Sequence, residues 1–168
     1  MSAKKERVHL KLSKSFIQSI GILVMLAELP EGVTLKSHEI SKRMDVSHTY
    51  LIKIAKKLKD QGIILSISSK NGGYSLNRPI EEISFWDIYE AVEPQKNFLD
   101  GVNFEPIYSM FLSKDIIMEQ GQVFRSIVSE AETGFKEILA QHFLSEVMPK
   151  DEDGKPLKID WTKMIDEN

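Results

Sequence analysis

The feature that most constrains the fold is a short helix signal, a tight turn and a longer helix signal, followed at once by two β-prone runs. The first signal covers residues 37–44 and opens with Ser37, a residue type that caps helices. The second begins after Ser47, another cap candidate, and stops at Gly62, a residue typical of the position just beyond a helix. Two helices in this arrangement are typical of a helix-turn-helix.

The two β-prone runs flank residues 69–72, whose Asn71-Gly72 pair predicts a hairpin because both residues tolerate positive φ. A phosphate-binding loop would need a longer glycine-rich run with a helix directly behind it. Here Pro79 follows, and the next helix signal starts only near Ser84. The sequence therefore predicts a mainly α fold, a winged helix-turn-helix with a two-stranded β wing plus a long C-terminal dimerisation helix.

Two further helices complete the predicted winged helix. The first covers residues 14–29 and is apolar on more than one side, Ile17 included, which predicts burial on more than one side. The second starts at Ser84 as the N-cap, with Asp87 placed to complete a capping box.

A long helix is predicted from residue 114 to about residue 145. Its apolar positions alternate at spacings of four and three, as in a coiled-coil seam. About thirty helical residues reach about 45 Å, more than a small winged helix can cover, which favours a partner chain over packing within its own domain. The predicted dimerisation residues are Ile117, Phe124, Val128, Phe135 and Ile138.

These elements divide the chain into four parts. Residues 1–94 are the predicted winged helix-turn-helix DNA-binding domain, and residues 95–113 are a connecting segment. Residues 114–148 are the dimerisation helix, and residues 149–168 are a tail with one short helix and a docked Trp161.

The net charge of −3 hides an uneven distribution. Residues 1–80 contain 14 basic and 6 acidic side chains, whereas residues 81–168 contain 8 and 19. A basic first half can meet a polyanion such as double-stranded DNA. The apolar run at residues 16–29 is too short to cross a bilayer, so we expect a cytoplasmic protein with no membrane association.

A helical wheel of the predicted helix that begins after Ser47 places Leu51, Ile54 and Leu58 inward. Thr49 and Lys53 then point outward, with Ile52 beside them. Residues at the helix start and at the wing tip can also reach DNA. A single surface lysine is more often a solvated charge without a binding role. Only the position of several such residues on one side of the helix favours DNA contact. The predicted DNA-binding residues are Lys36, Ser37, Ser47, His48, Thr49, Tyr50, Lys53, Lys56, Lys70 and Asn71.

Other classes of function find little support. The chain has no cysteine, which excludes disulfides, thiolate metal sites and thiol catalysis. The four histidines, His9, His38, His48 and His142, are dispersed, so neither a metal site nor a cofactor is predicted. Without an acid–base or nucleophile constellation, an enzyme is the least favoured interpretation.

Three motifs carry a resemblance to a known family. They are S-x-x-Y-L at Ser47, Tyr50 and Leu51, GGY at Gly72, Gly73 and Tyr74, and EIS-x-x-D-I-x-x-A-V-E at residues 82–93. Through them, residues 11–94 resemble the Rrf-two family of bacterial winged-helix regulators, which includes an iron–sulfur cluster regulator. The resemblance implies a homodimeric transcription regulator, expected to be a repressor, whose two wings and recognition helices read a two-fold-related operator.

The chain departs from the family pattern in three places. Cluster-binding members have three cysteines before the long helix, and residues 94–115 have none. Ile52 stands where many members have glutamate, and Ser68 stands where many have arginine. The resemblance therefore implies a regulator without a cluster, and the family's operator sequence does not transfer.

Two alternatives stay open beside the DNA-binding regulator. One is a winged-helix module that binds protein and not DNA, and the other is a sensor that uses histidines and carboxylates. A dense apolar segment also replaces the cluster region. It either packs as a structural plug or lines a pocket for a small apolar or aromatic effector. Its apolar residues are Phe98, Leu99, Val102, Phe104, Ile107, Tyr108 and Phe111.

Overall fold

The structure is a computed structural model that describes residues 12–93, 97–110 and 114–164. Helix α1, Lys14–Glu28, begins where the Ser13 hydroxyl accepts a hydrogen bond from the Phe16 backbone N–H at 3.1 Å. Burial on more than one side is confirmed for most of the helix, since Leu23 and Met25 are both buried. Ile17 is the exception, because it lies in the first turn and stays exposed.

The helix-turn-helix consists of α2, Ser37–Arg43, and α3, His48–Asp60. Asp45 takes the left-handed conformation in the turn, with φ of 52°, which short polar side chains tolerate. The prediction that Ser37 caps α2 is wrong. Lys36 occupies the cap position, because its backbone N–H donates to the Glu39 carboxylate at 2.6 Å.

The wing is an antiparallel pair of strands, β1, Ile64–Ile67, and β2, Gly73–Leu76. The predicted hairpin is confirmed, and its register pairs Ile67 with Gly73, so five residues form the loop. Neither Asn71 nor Gly72 has positive φ, so the conformation that motivated the prediction is not adopted. Glycine is required at Gly72 for another reason, since a Cβ there would lie 1.9 Å from the Ile67 carbonyl oxygen.

Helix α4, Phe85–Val92, confirms the predicted capping box. The Asp87 backbone N–H donates to the Ser84 hydroxyl at 3.1 Å, and the Ser84 backbone N–H donates to the Asp87 carboxylate at 2.9 Å. A 3₁₀ turn, Ile80–Glu82, joins the wing to this helix.

The long helix α6, Lys114–Gln141, follows the short helix α5, Glu105–Tyr108. Its predicted end near residue 145 is wrong by about one turn. Beyond Gln141 the chain pairs with the start of α4, where Leu144 donates a backbone hydrogen bond to Ile83 O at 2.9 Å. Leu144 is fully buried at the beginning of a 3₁₀ turn, Leu144–Val147, and this burial ends the helix.

The described residues form two compact units, one of residues 13–93 and 138–164, the other of residues 97–110 and 114–137. The winged-helix unit therefore includes residues 138–164, which the sequence-based division placed outside it. Its core lies between α1, α3, α4 and β1, and Leu144 belongs to it. None of the helices in the described ranges has the length and apolar character needed to cross a membrane.

The end of the chain returns to α1, and the predicted docking of Trp161 is confirmed. Trp161 begins α7, Trp161–Met164, and donates its indole N–H to the buried Glu28 carboxylate at 2.9 Å. The Arg43 guanidinium lies 4.5 Å from the centre of the Trp161 ring. The tail is thereby fixed to both α1 and the helix-turn-helix.

Candidate nucleic-acid interface

Helix α3 has a sharply divided surface. Leu51, Ile54, Ala55 and Leu58 are buried in the core, while Thr49, Ile52, Lys53 and Lys56 are exposed on the opposite side. With 3.6 residues per turn, these four exposed residues fall within about 100° of arc. We call them the outward stripe. The local sequence fixes this orientation, because the apolar spacing determines which side faces the core.

The first turn of α3 is anchored by its cap. The Ser47 hydroxyl accepts a hydrogen bond from the Tyr50 backbone N–H at 3.2 Å. Ser47 is exposed, yet this bond already gives its hydroxyl a structural task. A contact from Ser47 to a phosphate would use the remaining hydrogen-bonding capacity of the hydroxyl.

The predicted residues at the starts of α2 and α3 lie together. Ser37 Oγ is 2.8 Å from Nε2 of His48, a hydrogen bond between the first and second helices of the motif. His48 is exposed, as is Lys36 directly before α2. The structure therefore brings three of the predicted DNA-binding residues into one neighbourhood.

Two of the predicted residues have protein partners as well. The Tyr50 hydroxyl lies 2.9 Å from Ser15 Oγ in α1, so its polar end is directed at the domain. Lys56 Nζ forms an ion pair with Asp60 at 2.6 Å, one turn further along α3. Both side chains of the pair are exposed, where such pairs contribute little stability, so Lys56 can exchange its partner.

The wing presents Lys70 and Asn71 in its exposed loop. The Thr34 hydroxyl donates to the Asn71 carbonyl oxygen at 3.1 Å, which fixes the wing tip to the segment before α2. An isolated bridge between Leu35 and Tyr74 ties the same segment to β2. The bridge also brings the Leu35 backbone close to Gly73. A Cβ at Gly73 would lie only 2.7 Å from the Leu35 carbonyl oxygen.

The predicted dimerisation residues on α6 differ in exposure. Phe124 and Ile138 are exposed, whereas Ile117, Val128 and Phe135 are partly buried. The burial has a local cause, since the chain before α6 packs on part of the predicted seam. The ring centres of Phe98 and Phe135 are 6.0 Å apart, and those of Phe104 and Phe124 are 6.3 Å apart.

A neighbouring set of α6 residues is more exposed than Ile117, Val128 and Phe135 of the predicted seam. Ile116, Val123 and Ile127 are 64%, 52% and 59% exposed. Their spacings of seven and four place them on one side of the helix. The heptad-like pattern was a usable signal, but the sequence did not reveal which of two adjacent apolar stripes the chain itself would cover.

The apolar segment before α6 forms an aromatic cluster with it. Phe104 stacks on Tyr108 at 6.3 Å, and the Arg125 guanidinium lies 4.4 Å from the centre of the Phe104 ring. The contacts of Phe98 and Phe104 with α6 agree with part of the structural-plug interpretation, whereas Val102 and Ile107 of the same segment are exposed. Phe111 lies outside the described residues, and the effector pocket stays a prediction.

A model of the Rrf2 (Rrf-two) family, described as iron-dependent transcriptional regulator, matches residues 12–150. This range includes the winged helix and the whole of α6. The chain belongs to the Rrf2 family.

Curated Rrf2 relatives carry names that place them among the HTH-type transcriptional regulators. YffB of Lactococcus lactis subsp. lactis (strain IL1403) is 45% identical over 84 residues, which are 50% of this chain and 54% of that protein. The chain thus matches about half the length of this relative. YwgB of Bacillus subtilis (strain 168) is 28% identical over 84% of this chain and 86% of that protein.

Solved structures of similar fold include IscR of T. potens, with a TM-score of 0.57, 21% identity and coverage of 81% of this chain and 84% of that one. CymR of B. subtilis, described as a global cysteine regulator, has a TM-score of 0.56 and 20% identity over 83% of this chain and 96% of that one. These likenesses establish the winged-helix fold.

The donor set of this Rrf2 chain does not fit the iron dependence in the family description. The chain has no cysteine to ligate an iron–sulfur cluster. Within residues 12–93, 97–110 and 114–164, no three His, Asp or Glu side chains are grouped to hold a metal ion. His142 instead pairs with Glu146 at 2.8 Å, a bond that lowers the pKa of the Glu146 carboxyl.

Proposed function

We propose that the protein is a homodimeric, sequence-specific DNA-binding transcription regulator that acts in the cytoplasm as a repressor and carries no cluster. The observation that carries the proposal is the outward stripe of α3, which combines two lysines with Thr49 and Ile52 on the side opposite the core. In a helix-turn-helix this side of the second helix enters the major groove.

Phosphate contacts would orient the protein on the duplex. Lys36 and the Ser37–His48 pair lie at the helix starts, and Lys70 projects from the wing loop. Such contacts fix register and orientation without reading sequence. Thr49, Ile52 and Lys53 are then left to meet base edges, because they occupy the first two turns of the recognition helix.

Dimerisation would occur through α6. Its 28 residues span about 42 Å. Exposed Ile116, Val123 and Ile127 give this helix an apolar surface that a second copy can bury. Dimers formed through such helices present two recognition helices to a two-fold-related site. The predicted seam residues Phe124 and Ile138 would widen the contact.

The proposed regulator has no catalytic role. The groups at the proposed interface are lysines, hydroxyls, one imidazole, the Asn71 carboxamide and the aliphatic Ile52, and they suit phosphates and base edges. A small apolar effector that binds near Phe104 stays part of the proposal as the source of regulation. Such an effector must bind one arrangement of the dimer more tightly than another to change DNA affinity.

The deciding experiment is a gel-shift titration of the full chain against the promoter of its own gene, with a scrambled duplex of equal length as control. We expect a retarded band on the promoter at concentrations that leave the control free. Sedimentation of the complex should give two chains per duplex. A folded protein that binds both duplexes equally, or neither, would favour the protein-interaction module.

A further inference from the structure

Ile52 is the one large aliphatic residue of the outward stripe. It is 43% exposed, whereas the preceding Leu51 is 1% exposed. Thr49, Lys53 and Lys56 surround it on the outward stripe, and all three are exposed. A single exposed aliphatic side chain is ordinary on a protein surface, so the inference depends on where Ile52 lies along α3.

The position of Ile52 along α3 matches base contact. It is the fifth residue of the helix, about 6 Å along the axis from His48. The first turns of a recognition helix meet base edges, and later turns pass toward the backbone. Lys56, one turn further along α3, is paired with Asp60, whereas Lys53 lies directly beside Ile52.

The major groove offers one apolar group on its base edges, the C5-methyl of thymine. Apart from the small C5–H edge of cytosine, the other groups on those edges are hydrogen-bond donors and acceptors, which an isoleucine would leave unpaired. Contact with a thymine methyl buries aliphatic surface on both partners. Contact with guanine, adenine or cytosine would bury a polar group without compensation.

We propose that Ile52 is a specificity-determining residue that reads the methyl group of one thymine in each operator half-site. This inference rests on the proposed function, because it presupposes that α3 enters the major groove. Lys53, adjacent on the stripe, meets a neighbouring guanine or phosphate. Thr49, one turn earlier, supports the same contact with its own methyl group.

The test begins with selection of a binding site from a random duplex library by the full chain. Each thymine of the selected half-site is then replaced by deoxyuridine, which removes only the methyl group. Affinity is measured by fluorescence anisotropy at one fixed salt concentration. Burial of one methyl group corresponds to about fourfold in affinity. Replacing one particular thymine of each half-site by deoxyuridine should therefore lower the affinity about fourfold.

Ile52→Ala should remove the difference between thymine and deoxyuridine at that position while keeping it elsewhere. Because Ile52 is exposed, this variant folds, and circular dichroism verifies it. The matched control is Val147→Ala, an exposed aliphatic residue in the 3₁₀ turn after α6, which should behave like the parent. Selection with Ile52→Glu should replace the thymine by cytosine, whose N4 amino group donates to carboxylates.

The outcomes separate the two proposals. If a specific site is selected but no thymine shows a methyl effect that depends on Ile52, the inference is overturned and the proposed function stands. If the chain selects no sequence at all, the proposed function fails together with the inference.

Discussion

The hydroxyl oxygen of Tyr50 lies 2.9 Å from Oγ of Ser15, so a side-chain hydrogen bond ties the recognition helix to α1. Tyr50 is also partly buried against the core. These contacts point to a role in positioning α3, in addition to the DNA contact predicted for this residue.

If Tyr50 acts through position, Tyr50→Phe and Ser15→Ala should have similar effects. Each removes one hydrogen bond and should lower the free energy of unfolding by about 1 kcal/mol. The double variant should lose little more than either single variant, because both changes break the same bond. Urea titrations measure stability, and gel shifts should show matching losses of affinity. A loss of affinity in Tyr50→Phe alone would instead indicate direct DNA contact.

Lys53→Ala and Lys70→Ala should each weaken operator binding, but in different ways. Lys70 in the wing loop is placed for phosphate, so its loss should lower the affinity for all sequences about equally and reduce the salt slope by about one unit. Lys53 on the outward stripe should alter sequence preference as well. Lys150→Ala, an exposed lysine of the tail, is the matched control. Unchanged binding of both variants at every salt concentration would rule out this face.

Ile127→Asp should convert the proposed dimer to monomers. Ile127 is 59% exposed within one chain, so the substitution costs the isolated chain little, whereas a carboxylate buried in an apolar dimer contact costs several kcal/mol. Analytical ultracentrifugation measures the result. The control is Ser129→Asp, an exposed residue about 200° around α6 from Ile127, which should remain dimeric. Phe124→Asp should also dissociate the dimer, but it additionally removes the contact with Phe104.

Glu28 makes the stability of the winged-helix unit depend on pH. Burial raises the pKa of its carboxyl above 4.5, against a smaller lowering by the Trp161 hydrogen bond. The folded state therefore holds this proton more tightly than the unfolded chain. Stability should fall as pH rises from about 4.5 through the raised pKa, because the buried carboxylate then becomes charged.

Glu28→Gln should flatten this part of the pH profile, since the amide does not titrate. Urea denaturation at a series of pH values measures the profile. Glu31→Gln, three residues later and exposed, should keep the parent's profile in that window. An unchanged profile in Glu28→Gln would show that the carboxyl is not responsible.

The elements of the winged helix were predictable because their signals are local. Ser84 and Asp87 indicate the start of α4, and Ser47 indicates the start of α3. The apolar spacing predicts which side of α3 faces the core. The candidate interface was predictable for the same reason, since the outward stripe lies on the side of α3 opposite its buried apolar residues. The positions of Ser37 and His48 relative to each other follow from the same short motif.

What escaped prediction depends on contacts between distant parts of the chain. Nothing near Leu144 in the sequence indicates that it docks beside Ile83 and ends α6. The covered side of α6 is decided by Phe98 and Phe104, which precede their partners Phe135 and Phe124 by 37 and 20 residues. The conformation of the wing loop was missed because Gly72 is needed for close backbone approach and not for positive φ.

Because Leu144 belongs to the core and Trp161 packs against it, the winged helix includes residues that follow α6 in the sequence. On the ribosome, its core cannot close until the last of these residues has emerged. A transcript cut short within α6 therefore yields no free-standing DNA-binding head. Nonsense alleles that end within α6 should therefore cause loss of function. In cells that also carry an intact copy of the gene, the truncated product should not compete with the full-length protein for operators.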